Sequence, residues 1–267
     1  MEYQKFIPEG WIDNSKQLDI SDIREAYNNK EVLSGKVYKC DLNGTLHVNL
    51  GSDIDGVIPQ NEFEYINVDE YGFCDYKICR SKVNSFVNFV VKDVYDERKI
   101  LLSRKDVQKE AIDWVKNDLK PGMVVDGIVK NIRKFGAFVE IGGGIVGLLH
   151  IEDISVSRIK SPEERLKVDQ KIKVMIKSID VEKNKIVLTY KELLGNWEEN
   201  IKDYSEKTVV DGIVKEADKF KNGIFIELKP NLVGLAEYKE GLEYGQAVKV
   251  YIKKIIKDRK KIKLLII

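Results

Sequence analysis

Short runs in which apolar and polar residues alternate recur along this chain, and stretches with a helical period separate them. Leu46, Val48 and Leu50 alternate with His47 and Asn49; Ala137, Val139 and Ile141 alternate with Phe138 and Glu140. A period of two belongs to a strand with one buried face. The pattern predicts further strands at Val83–Val94, Lys99–Leu102, Val124–Ile132, Ile145–His150, Lys171–Asp180 and Lys185–Tyr190, with a tight turn over Val181–Asn184. It predicts others at Val209–Val214, Ile224–Leu228, Val233–Ala236, Ala247–Ile256 and Lys261–Ile266. Helices are expected over Ser21–Leu33, where Ser21 is a candidate cap, and over 104–119, where Val107, Ala111, Trp114, Val115 and Leu119 share a face before Pro121-Gly122. A third is expected over Glu192–Tyr204, and Ser161–Val168 is helix-prone. Residues 61–80 read as a long irregular connection.

The strand sets repeat. Val124-Val125-Asp126-Gly127-Ile128-Val129 returns almost unchanged as Val209-Val210-Asp211-Gly212-Ile213-Val214, a period of about 85 residues. That period is too long for a solenoid and suits an array of small domains. Five short strands with a helical insert after the third fit a small closed barrel, which also removes exposed sheet edges. The expected fold is therefore mainly β: three tandem five-stranded OB-fold barrels joined by short helices. The expected division is 1–34 a helical extension, 35–104 a first barrel, 105–120 a helical linker, 121–191 a second barrel, 192–205 a linker and 206–267 a shortened third barrel.

Charge separates these units. Residues 1–120 hold 17 Lys and Arg against 22 Asp and Glu, whereas 205–267 hold 14 against 9. The later units can meet a polyanion, and the first is suited to another partner. No apolar run approaches about 18 residues, so no membrane partner is expected, and the first ten residues lack the pattern of a signal peptide, which makes the cytoplasm the default compartment. Cys40, Cys74 and Cys79 lack disulfide or zinc spacing and are expected to be reduced thiols.

The stretch Lys134–Ile151, KFGAFVEIGGGIVGLLHI, concentrates the candidate chemistry. Strand phase puts Phe138 and Glu140 opposite the aliphatic face, and a phenylalanine on a wet sheet face is suited to stacking on a base. Gly142–Gly147 spells G-x-G-x-x-G, but a strand follows where a dinucleotide site needs a helix, so the glycines are read as a turn. His150 and His47 lie in different repeats, and no acid–base, nucleophile or metal constellation accompanies either. No cofactor, metal or small-molecule substrate is expected.

The segment Gly122–Lys191, with FGAFV followed by GLLHI, closely resembles the S1 RNA-binding domain, an OB-fold module. The resemblance implies single-stranded RNA bound on one barrel face by Phe135, Phe138 and His150, with Asp180 and Lys185 on the last hairpin; Arg133 and Lys134 lie beside them. The outer units resemble degenerate copies. His47 stands at the position of Phe138 and Pro59 at that of His150; in the third unit Phe225 matches Phe138, Phe220 matches Phe135 with two extra residues, and Glu237 replaces His150. The three-unit arrangement resembles shorter ribosomal-protein-S1-like proteins of Gram-positive bacteria, which implies messenger RNA or the small ribosomal subunit as partner. An adaptor whose degenerate barrels bind ribosomal or RNA-processing proteins is the alternative. The three repeats and their helices leave no room for a catalytic domain, so no enzyme is expected.

Overall fold

The computed structural model describes residues 4–11, 17–51, 54–96, 98–218 and 223–267; Phe220 lies outside them. Among these, fifteen strands close three barrels, each in the order first–second–third–fifth–fourth. The first comprises β1 (Leu33–Cys40), β2 (Leu46–Gly51), β3 (Ile54–Ile58), β4 (Phe86–Val94) and β5 (Lys99–Ser103). The second comprises β6 (Val124–Arg133), β7 (Gly136–Gly142), β8 (Ile145–His150), β9 (Lys171–Asp180) and β10 (Lys185–Thr189). The third comprises β11 (Val209–Asp218), β12 (Gly223–Lys229), β13 (Leu232–Glu237), β14 (Ala247–Ile256) and β15 (Lys261–Ile266). The third and fifth strands of each barrel pair in parallel and every other pairing is antiparallel, which is the OB arrangement.

The alternating aliphatics fill the barrels. Leu46, Val48 and Leu50, then Ala137, Val139 and Ile141, then Ile224 and Ile226, are all buried. Three helical segments close the barrels that follow them. Helix α1 (Ile20–Asn29) is capped by Asp19, in a capping box with Asp22, two residues before the expected cap Ser21, and ends at Lys30 in the left-handed region; its Ile23 and Ala26 enter the first core. Helix α3 (Arg104–Asn117), capped by Ser103, inserts Val107, Ala111, Trp114 and Val115 into the second core, so it belongs to that core as well as linking two barrels. The expected helix at Glu192–Tyr204 is broken into single turns around α4 (Trp197–Asn200), whose Trp197 and the following Ile201 close the third. The irregular connection holds an unforeseen helix, α2 (Tyr76–Ser81), capped by Asp75. Ser161–Val168 forms only the single turn Pro162–Glu164, and no helix stands between β13 and β14. Cys74 and Cys79 are buried free thiols and Cys40 is half-buried.

The barrels are joined by buried ion networks. At the first junction the segment around Glu9 is clamped between two barrels. Glu9 accepts from Arg104 Nε at 2.6 Å, Arg104 donates to Glu64 at 2.6 Å and stands over the Phe63 ring, and Gln108 donates to Glu64 at 3.0 Å. On the other side the Glu9 amide donates to Glu140 at 2.6 Å, and Lys130 donates to the Glu9 carbonyl at 2.7 Å. The triple glycine serves this junction. Gly142, Gly143 and Gly144 all have positive φ, and a Cβ on Gly142 would lie 2.2 Å from the Phe6 carbonyl oxygen.

At the second junction Glu227 stands where Glu140 stands, since Ile213 faces it as Ile128 faces Glu140. Ser157 and Arg165 of the middle domain donate to Glu227, Lys215 bridges to Glu164 at 2.9 Å, and Tyr244 donates to Glu164 at 2.6 Å. The Ser157 amide pairs with the Pro230 carbonyl at 3.0 Å. The second and third barrels thus each bury a second-strand glutamate, Glu140 under the N-terminal segment around Glu9 and Glu227 under the middle domain, whereas the first barrel has the exposed Asn49 at that position.

Burial pushes the Glu9 carboxyl up, but Arg104, Lys82 and Lys130 outweigh it and hold it at about 2. Burial and the nearby Glu9 carboxylate push Glu140 to about 7, against Lys130 and the backbone N–H groups of Gly144 and Glu9. Glu9 is lower in the folded state than unfolded, so its contribution is complete above about pH 4.5 and disappears as pH falls towards about 2. Glu140 has the opposite sign: its contribution is complete below about 4.5 and is lost as pH rises through about 7. Arg104→Met strands the buried Glu9 carboxylate and should cost about 3–5 kcal/mol at pH 7. Urea unfolding followed by Trp114 fluorescence should show this deficit shrinking as pH falls from 4.5 towards 2, because protonated Glu9 no longer needs a cation.

Candidate nucleic-acid interface

Cross-strand register defines one row of outward side chains on each barrel. Partners directly opposite in a ladder share a face. In the middle barrel the row runs Asn131, Phe138, Leu148, Val187, Ser178 across β6, β7, β8, β10 and β9. In the first it runs Lys39, His47, Val57, Leu101, Asp93, and in the third Glu216, Phe225, Leu235, Lys263, Lys254. The register therefore aligns His47, Phe138 and Phe225, as the alternation suggested.

Around the middle row the structure brings together Phe135, Phe138 and His150. The two rings meet edge to face at 6.1 Å and 88°, Phe135 is 49% exposed and Phe138 half-buried. His150 faces Gly136 across the ladder, and the Ile151 amide donates to the Phe135 carbonyl, which ties the turn to the strand end. A Cβ on Gly136 would lie 2.4 Å from the Leu149 carbonyl oxygen, so glycine is what lets this turn close on β8. His150 has a 40%-exposed side chain, and its Nδ1 accepts from the Glu152 amide at 3.4 Å, leaving Nε2 to donate to a ligand. Arg133 and Lys134 are exposed in the β6–β7 turn.

Two expectations need correction. Glu140 shares the strand phase of Phe138 but is fully buried beneath the Glu9 segment, so only the Phe138 end of this face meets solvent. Asp180 and Lys185 pair across β9 and β10, yet they sit at the opposite end of β10 from His150, beside Ile145 and Val146. Lys185 precedes Val187 by two residues, about 6.6 Å along the strand. It adjoins the row without joining the aromatic cluster.

Nearer that cluster stand two lysines the alternation did not reveal. Lys177 occupies a bulge in β9 and pairs with buried Asp153 at 2.7 Å; Lys191 reaches the same carboxylate at 3.2 Å. Burial pushes the Asp153 carboxyl up, but its bonds to Lys177 and Lys191 prevail and lower it, so it remains an anchoring anion. The same bulge holds Lys92 in the first barrel, paired with Glu62 at 2.7 Å, and Lys253 in the third. The signal was present as a lysine inside each fourth strand, but only register shows the positions to be equivalent.

The first barrel's row differs in chemistry as well as shape. His47 is held between Asp55 at Nδ1 and Asp41 at Nε2, both at 2.8 Å, and Tyr38 donates to Asp55 at 2.9 Å. Both ring nitrogens are used, and two carboxylates flank the place a phosphate would approach. Among the described residues no group of three or more His, Cys, Asp or Glu side chains is placed to hold a metal.

The S1 RNA binding domain matches residues 118–191, the unit that carries Phe135, Phe138 and His150. The middle unit of the chain is thus the part that matches this family. The small ribosomal subunit protein bS1 of Staphylococcus aureus is 31% identical over 260 residues, 91% of this chain and 63% of that protein. A 4-hydroxy-3-methylbut-2-enyl diphosphate reductase of Clostridium tetani is 33% identical over 95% of this chain but only 41% of its own length. The chain thus spans about two thirds or less of these curated relatives. The solution structure of GSP13 from Bacillus subtilis is 27% identical over 39% of this chain and 68% of that chain, with a TM-score of 0.28.

Burial disfavours a charged His47, but hydrogen bonds to Asp41 and Asp55 outweigh it and raise the imidazole above its ordinary value. The clamp therefore stabilises the first barrel fully below about pH 6.5, and this is lost as pH rises through the raised value. In a proton NMR titration His47 should titrate above 6.5, and Asp55→Asn should move its midpoint down.

Proposed function

We propose that this protein binds single-stranded RNA without catalysing a reaction, chiefly on the middle barrel. The observation that supports this is the Phe135–Phe138 pair, edge to face and solvent-accessible, beside His150. A base stacks on Phe138 and Leu148, His150 donates from Nε2, and Arg133, Lys134, Lys177 and Lys191 meet phosphates. Every base has a π-face and the lysines read only charge, so sequence preference is weak. Asp180 and Lys185 take part further along the strand, as the exit of the row. The third barrel assists through Phe225.

The partner we propose is messenger RNA in the cytoplasm, engaged at the small ribosomal subunit; the likeness to a protein named for that subunit supports this reading. The first barrel, with His47 locked between carboxylates, contributes little to RNA and is left to protein contacts. Exposed Tyr71 and Phe73 on that barrel favour such a role.

Phe138→Ala should weaken binding of an unstructured oligouridylate by about 1–3 kcal/mol, read by fluorescence anisotropy, while His47→Ala leaves it unchanged. An unchanged affinity for Phe138→Ala would place the RNA elsewhere.

A further inference from the structure

The third barrel's row is incomplete without the middle domain. Its centre is apolar and open: Phe225 is 39% exposed and Leu235, directly opposite, 47%. One flank is cationic in an unusual way. Lys254 and Lys263 face each other directly across β14 and β15, and neither has a carboxylate partner among the described residues. Like charges directly opposite destabilise a sheet, so this pair has a use for an anion. The other flank is Glu216, opposite Phe225, which alone would repel phosphate. It is met by Arg158, whose Nη1 lies 3.2 Å from the Glu216 carboxylate.

Arg158 comes from the middle domain, on the segment after β8 whose Ser157 docks on Pro230 and Glu227. Glu227 follows Phe225 by two residues on the same outer face, so the docked segment forms the edge of that face. Neighbours on this segment are spent on the junction, whereas the Arg158 side chain is 78% exposed. Its guanidinium covers one carboxylate with one nitrogen and has donors to spare.

We propose that Arg158 completes a second single-stranded RNA site on the third barrel, built across the domain junction. A base stacks on Phe225 and Leu235, one phosphate lies on Arg158, and the strand leaves over Lys263 and Lys254. Four strand spacings of about 4.8 Å give this path roughly 19 Å, room for a few nucleotides. Arg158 both neutralises Glu216 and supplies the cation that flank lacks. The site rests on the reading of the barrels as RNA binders, and it makes docking of the middle domain a condition for binding on the third.

The test uses the full chain, fluorescein-labelled oligouridylate and anisotropy over a salt series, with Phe138→Ala as background so that the third barrel's share is visible. In that background Arg158→Ala should weaken binding roughly fivefold and reduce the log–log salt slope by about 1. Phe225→Ala should weaken it comparably, and Glu216→Gln should strengthen it by freeing Arg158. Arg158 is a surface residue, and circular dichroism should show unchanged barrels in its variant. If Phe225→Ala weakens binding while Arg158→Ala and Glu216→Gln change neither affinity nor slope, the junction site is wrong and barrel-face binding stands. If neither Phe138→Ala nor Phe225→Ala changes affinity, the stacking reading itself fails.

Discussion

The arrangement of this molecule depends on a carboxylate that cannot stay buried alone. Glu140 and Glu227 occupy the same place in successive barrels, on the outward face of the second strand; the N-terminal segment around Glu9 covers the first and the middle domain covers the second. An unpaired buried carboxylate is costly, so the cover must supply donors. For Glu140 these are backbone N–H groups of Glu9, Gly142 and Gly144; for Glu227 they are Ser157 and Arg165. Because such networks demand particular geometry, they set the barrels in register with one another rather than leaving them strung on free linkers.

That constraint shapes the binding surface. Covering the glutamate end of each face leaves the Phe138 or Phe225 end open, so the domain junction defines where the open row begins. The three rows share one backbone register and differ only in chemistry: a histidine locked by acids, a neutral aromatic row, and an apolar patch ending in paired lysines. One fold repeated three times thus presents three different surfaces, and the affinity for a polyanion follows side-chain charge along the row rather than fold.

Much of this was legible in the sequence. The period of two placed the strands and their buried faces, and the alignment of His47, Phe138 and Phe225 needed only strand phase. What was not legible depends on contacts distant in the chain. Glu140 shares Phe138's phase and so reads as solvated; its burial comes from Glu9, far away in sequence. The equivalence of Lys92, Lys177 and Lys253 rests on bulges, which shift register without leaving a hydrophobic signature. Helix α2 is too short to declare a period, and only its Asp75 cap marks it.

The central claim is that RNA lies on the Phe138 row of the middle barrel. It is tested most directly by photo-crosslinking the full chain to an oligoribonucleotide containing 5-iodouridine and mapping the modified peptides. Adducts concentrated at Phe135, Phe138 and His150, with a weaker set at Phe225, are the predicted result. Adducts falling mainly on the first barrel, around His47, with the middle barrel unlabelled, would contradict it.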